Sequence, residues 1–131
     1  PWMQPIYDNL EYLFNTKKPG DIDHILAGLN SIQVEALTYI RGRSIPGQFI
    51  IIDEAQNLTK HEVKTIVSRV GEASKIVLMG DPDQIDNPYL DATNNGLTYV
   101  VEKFKAESIS GHMMLEKGER SKLAQLAADL L

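Results

Sequence analysis

Two short β-forming runs are separated by one helical stretch: Phe49-Ile50-Ile51-Ile52, which leads straight into Asp53-Glu54, and Lys75-Ile76-Val77-Leu78-Met79, which leads through Gly80 into Asp81. Continuous β-branched and aromatic runs of this kind predict strands buried on both faces of a parallel sheet. Between them Thr59 predicts a helix cap, Glu62 completes a capping box with it, and Val63, Ile66, Val67 and Val70 form one apolar stripe that Gly71 would stop. Residues 49 to 80 therefore predict one β-α-β unit with a parallel strand pair and a right-handed crossover. That unit commits the chain to the α/β class.

The flanking segments are shorter. Ile6, Leu10 and Leu13 or Phe14 recur at helical spacing after Pro5, predicting an amphipathic helix over residues 5 to 15. The turn-forming Lys17 to Asp21 stretch precedes a second helix carrying Ile22, Ile25, Leu26 and Leu29, capped by Asp21 and ended by Asn30. Ile32 to Ile40 alternates as a strand would, although Glu35 and Tyr39 also suit a helix; a short strand is favoured. Asp81 to Asn95 reads as loop, Gly96 to Lys105 as helix, Ile109 to Leu115 as a further strand, and a last helix begins near Ser121. Trp2, Tyr7 and Tyr12 offer surface for base stacking, but their helical spacing favours packing into a core.

A chain of 131 residues with 43% apolar content buries one core, so residues 1 to 131 are expected to form one domain or a large piece of one. With no cysteine and three scattered histidines there is neither a disulfide framework nor a zinc centre at ligand spacing, and a cytoplasmic location is expected. No run reaches the roughly 20 apolar residues of a membrane span, and the first residues do not form a signal peptide. A net charge of -5 argues against the broad basic footprint of phosphate-backbone binders. The chain begins Pro-Trp and ends within the helical pattern LAQLAADLL, as a segment of a longer polypeptide would.

The chemistry concentrates at the strand ends. Asp53 and Glu54 follow the first strand directly, where open α/β sheets bind ligands. An adjacent carboxylate pair suits a divalent cation on Asp53, held directly or through water, with Glu54 turned to a nucleophilic water. The second strand ends Gly80-Asp81-Pro82-Asp83-Gln84, one helix later, so both polar termini are expected on the same sheet edge. Gln84 carries an amide that accepts from water and donates to a phosphate oxygen, which suits a γ-phosphate sensor; its plainer role is a loop hydrogen bond. Arg120, at a helix start, presents a fork fit for phosphate oxygens, or for an ordinary surface ion pair. Arg41 and Arg43 flank Gly42 on a loop and are candidates for contact with RNA phosphates, a neighbouring subunit's nucleotide or local carboxylates.

FIIIDEAQN (49 to 57), GDPDQID (80 to 86) and YIRGRSI (39 to 45) together resemble the PhoH family of RecA-like ATPases over most of the chain. The resemblance implies a three-layer α/β/α P-loop NTPase core with a mostly parallel sheet, ATP and Mg²⁺ as cofactors, and Asp53 and Glu54 as the Walker B pair. Asp81 to Gln84 matches the helicase-like GDxxQ element, and LEKGERS (115 to 121) is similar to the arginine-containing motif of superfamily 1 helicases. The branch most alike is often fused to an amino-terminal PIN ribonuclease domain and associated with RNA unwinding and decay. RecA-like sites are often completed between subunits, so a homo-oligomeric ring is also implied.

One departure is decisive. No GxxxxGK[ST] occurs, and none of the nine glycines precedes a lysine, so the Walker A strand and its phosphate-cradling loop are missing. The expectation is a carboxyl-terminal part of a PhoH-like ATPase domain, inactive alone, whose P-loop segment lies upstream in the same polypeptide. In RecA-like order that segment's strand would lie beside the second strand, whose edge is otherwise unpaired. The alternatives are a non-catalytic α/β interaction module and a nucleic-acid-binding module using Arg41 and Arg43.

Overall fold

The computed structural model describes residues 4–15, 21–29, 32–33, 42, 44–116 and 121–130, and the chain divides into two compact units, Pro1–Arg43 and Ser44–Leu131. In the first unit, helices α1 (Gln4–Leu13) and α2 (Asp21–Leu29) lie against each other. Both helices fall where the apolar spacing puts them, with Asp21 the first helical residue rather than a cap outside it. Ile22 is buried, but α1 buries none of its residues and Tyr12 is 85% exposed, which overturns its expected place in a core. Tyr7 is half-buried, and Trp2 lies outside the described residues. So does nearly all of the strand expected over Ile32 to Ile40, together with Arg41 and Arg43.

The second unit is built on the β-α-β motif. Strands β1 (Phe49–Ile52) and β2 (Lys75–Leu78) pair in parallel, Phe49 opposite Lys75 and Ile52 opposite Leu78, with α3 (Lys60–Val67) between them in sequence. The α/β class and the parallel pairing agree with the expectation and with part of a RecA-like core. Thr59 caps α3 as its sequence predicts. Its hydroxyl accepts from the Glu62 backbone N–H at 3.2 Å while the Glu62 carboxylate accepts from the Thr59 backbone N–H at 2.8 Å.

The helix stops at Val67, short of Gly71, because Val70 is taken into a parallel bridge with Ile45. Ile45 N–H donates to the Arg69 carbonyl and Gly71 N–H to the Ile45 carbonyl, at 2.8 and 3.0 Å. Those tertiary bonds replace the last helical turn that the valine stripe suggested.

Helices α4 (Gly96–Phe104) and α5 (Lys122–Leu130) follow. Asn95 caps α4 by accepting from Thr98 N–H at 2.9 Å, and α4 packs against α3 and a 3-10 turn over Ala55–Asn57. Ile52, Ala55, Leu58, Val63, Ile66 and Leu97 form the buried apolar set of this unit. Burial of such side chains stabilises by roughly 1.5–3 kcal/mol each.

Two expectations fail here. β1 is not buried on both faces: Ile52 is 6% exposed, but Phe49 is 65% and Ile51 is 57%, the alternation of a sheet with one covered face. Ile109 to Leu115 forms no strand, and Ile109, Met113, Met114 and Leu115 are all exposed. Strand structure needs a neighbour to accept its ladder, and β1 and β2 are the only strands among the described residues. No helix among the described residues is long and apolar enough to cross a membrane.

Candidate functional site at the paired strand ends

Beyond the named strands the parallel ladder continues by two bonds. Met79 N–H donates to the Ile52 carbonyl at 2.8 Å, and Ala55 N–H donates to the Met79 carbonyl at 2.9 Å. Asp53 and Glu54 are thereby fixed beside Met79, Gly80 and Asp81, and the two acidic termini share one sheet edge as the sequence predicts.

Asp53 and Glu54 are exposed. One Asp53 carboxylate oxygen, Oδ1, accepts from the Glu54 N–H at 3.0 Å; among the described residues Oδ2 has no partner. Glu54 adopts the left-handed backbone region, φ 54° and ψ 35°. For a residue with a side chain this costs on the order of 1 kcal/mol, and such strain persists where the surroundings over-determine it. Here they do. The Glu54 N–H is bound by Asp53, its carbonyl accepts from Asn57 N–H at 3.0 Å, and its Oε2 accepts from Gln56 Nε2 at 2.6 Å.

The loop after β2 is organised around Asp81. Its Oδ1 accepts from Asp83 N–H at 3.0 Å and its Oδ2 from the Gln84 side-chain amide, so Gln84 is engaged within its own loop. Asn57 supplies a further tie, its Oδ1 accepting from Asp86 N–H at 2.8 Å and Asn87 N–H at 3.2 Å. Gly80 is required for close approach. A Cβ there would lie 2.2 Å from Gln56 Oε1 and 3.1 Å from Leu97 Cδ2.

The structure brings Asp53, Glu54, Asp81 and Gln84 to one edge. Arg120, Arg41 and Arg43 lie outside the described residues. Sequence reasoning missed Gln56 and Asn57, the two amides that tie these segments together. Their signal was present, since two adjacent amides between Ala55 and Leu58 interrupt an apolar surrounding directly after the carboxylate pair.

Away from this edge, Asp91 has its pKa lowered. The side-chain hydrogen bond from Thr93 is the main cause and the Thr93 backbone N–H the next; desolvation opposes them, and the Asn94 backbone N–H and Lys60 add smaller lowering effects.

A parallel β-α-β unit whose carboxylates stand at a strand end, bonded to a second acidic strand end, belongs to the α/β class and is consistent with part of a RecA-like core. The chain belongs to the PhoH family: the family described as PhoH-like protein matches residues 1–131. It is 79% identical over its whole length to protein PhoH2 of Bacillus subtilis and 37% identical to protein PhoH2 of Mycolicibacterium smegmatis. A PhoH-like protein of Bacillus subtilis is 34% identical over 116 residues, 88% of the chain. The chain spans 30%, 29% and 34% of the lengths of these three relatives.

Proposed function

We propose that these residues form the Mg²⁺- and water-handling side of an ATP-hydrolysing site whose phosphate-cradling loop belongs to another part of the full-length protein. The observation that carries this reading is the pair of bonds between the strand ends, Ala55 N–H to Met79 O and Met79 N–H to Ile52 O. They hold the Asp53-Glu54 pair against the Gly80–Gln84 loop, the geometry needed to address one phosphate from two sides.

The donor set suits Mg²⁺. Asp53 is an exposed carboxylate with one oxygen uncommitted among the described residues, and Mg²⁺ is bound through one or two carboxylates, with water and phosphate oxygens completing its shell. When bound, the ion neutralises charge developing on the phosphates. Glu54 orients and polarises the attacking water, Gln84 reads the γ-phosphate by exchanging its Asp81 bond for a phosphate oxygen, and Arg120 supplies positive charge. Arg41 and Arg43 contact RNA or a neighbouring subunit's nucleotide, and the activity is coupled to RNA remodelling in a ring of subunits.

In the full-length protein, Glu54→Gln should reduce ATP turnover by about 10² or more while leaving ATP binding within a few-fold of the original. Unchanged turnover would refute the reading and favour a non-catalytic interaction module.

A further inference from the structure

Gln56 is among the largest fully buried side chains of the protein, at 1% exposure, and it lies at the centre of the strand-end edge. A buried primary amide is tolerated only when its polar groups are bonded. Gln56 commits both amide hydrogens and its oxygen: Nε2 donates to Glu54 Oε2 at 2.6 Å and to the Gln84 carbonyl at 2.8 Å, while Oε1 accepts from Asp81 N–H at 3.2 Å. The orientation is unique. A flipped amide would set its oxygen against a carboxylate and a carbonyl and its NH₂ against an N–H.

The other fully buried amide, Asn95, shows what a purely structural role looks like. All its partners lie between residues 91 and 98, around the cap of α4. Gln56 instead joins three residues from two separate segments. One carries the carboxylate assigned to the water, and the other two bracket the loop assigned to the γ-phosphate. Gly80 leaves room for this side chain, because any Cβ there would displace Oε1.

We propose that Gln56 is the positioning residue of the hydrolytic site: its buried amide fixes the Glu54 carboxylate to the Asp81–Gln84 loop, so that the water-orienting group and the phosphate-reading loop move as a unit. This rests on the ATP-hydrolysis reading. A change in the loop backbone at Gln84 is then transmitted to Glu54 through a single side chain, and the strained backbone of Glu54 gives it a second conformation to relax into.

The test is steady-state ATP turnover by the full-length protein between about pH 6 and pH 8, comparing the parent with Glu54→Gln, Gln56→Glu and Gly80→Ala. Gln56→Glu is nearly isosteric and still accepts from Asp81 N–H, but once ionised it has no donor for Glu54 or Gln84. It should lower kcat about tenfold or more at about pH 8 with KM for ATP within about twofold, and regain part of the loss relative to the parent near pH 6, because burial beside the Glu54 carboxylate raises the introduced acid's pKa and lets it carry an O–H donor there. Gly80→Ala, which moves the amide without altering it, should lower kcat similarly at both pH values. A Gln56→Glu kcat within about twofold of the parent, a pH-independent loss, or a change confined to KM would overturn the proposal while Glu54→Gln still abolishes turnover. If Gln56→Glu does not fold, Gly80→Ala decides alone: a tenfold kcat loss supports the proposal and parental kcat overturns it. Turnover that survives Glu54→Gln would instead sink the ATP-hydrolysis reading, and this proposal with it.

Discussion

At the scale of single residues, the strongest determinants are polar groups with several partners. Thr59 is one, since its hydroxyl accepts from Glu62 N–H and donates to the Glu62 carboxylate at 2.8 Å. Thr59→Ala removes the cap and leaves the first turn of α3 with an unpaired N–H, so stability should fall by about 1 kcal/mol, read as a lower midpoint in urea. Asp91 is another, and its effect depends on pH. Its carboxyl is held below the ordinary carboxylate value by Thr93, so it binds protons less readily folded than unfolded. The stability it contributes is present above the unfolded pKa near about 4 and lost as pH falls through the lower folded value. Asp91→Asn should therefore flatten the stability profile below about pH 4 and leave its shape above about pH 6 unaltered, measurable by thermal unfolding across that range. The Thr59 cap was legible from residue order alone because its partner is three positions away. The Gln56 contacts were not, because two of its partners lie 25 and 28 residues further along the chain and only strand pairing brings them near.

At the scale of elements, the helix and strand periods place β1, β2, α3, α4 and α5 close to where they fold, and the errors fall where tertiary bonds compete with local ones. The end of α3 is such a place, as Val70 leaves the helical pattern to bridge Ile45. The start of α4 offers a test of packing against propensity. Gly96 N–H donates to the Leu58 carbonyl at 2.6 Å, and a Cβ on Gly96 would lie 2.8 Å from that same oxygen. Alanine improves helix propensity by up to about 1 kcal/mol, but overpacking against a backbone oxygen costs about 1–3 kcal/mol. Gly96→Ala should therefore destabilise the protein on balance. A higher denaturation midpoint for that variant would show that α4 slides freely on the 3-10 turn.

At the scale of the molecule, the sheet of the second unit is small and one-sided. Phe49, Ile51 and Met79 are 65%, 57% and 44% exposed. Among the described residues the two strands have no further partner at either edge, and open edges beside bare apolar side chains favour association. The 131-residue chain by itself should self-associate with rising concentration and bind a hydrophobic dye, and Ile51→Lys should weaken both, as followed by light scattering and dye fluorescence. Dye binding and scattering unchanged by Ile51→Lys would locate the adhesive surface elsewhere.

The sequence by itself determined the α/β class, the parallel β-α-β unit, the acidic pair after β1 and the capped helix, because each is written in residue spacing within one element or in the order of adjacent elements. Its resemblance to the PhoH family agrees with the family match over the whole chain. The tertiary structure alone decided that one face of the sheet is bare and that Ile109 to Leu115 is not a strand, since burial and ladder bonding depend on which neighbours are present. It also decided how the site is held. Two strand ends meet through backbone bonds, a buried Gln56 spans them, and Glu54 is kept in a left-handed turn that no spacing rule would assign to a glutamate.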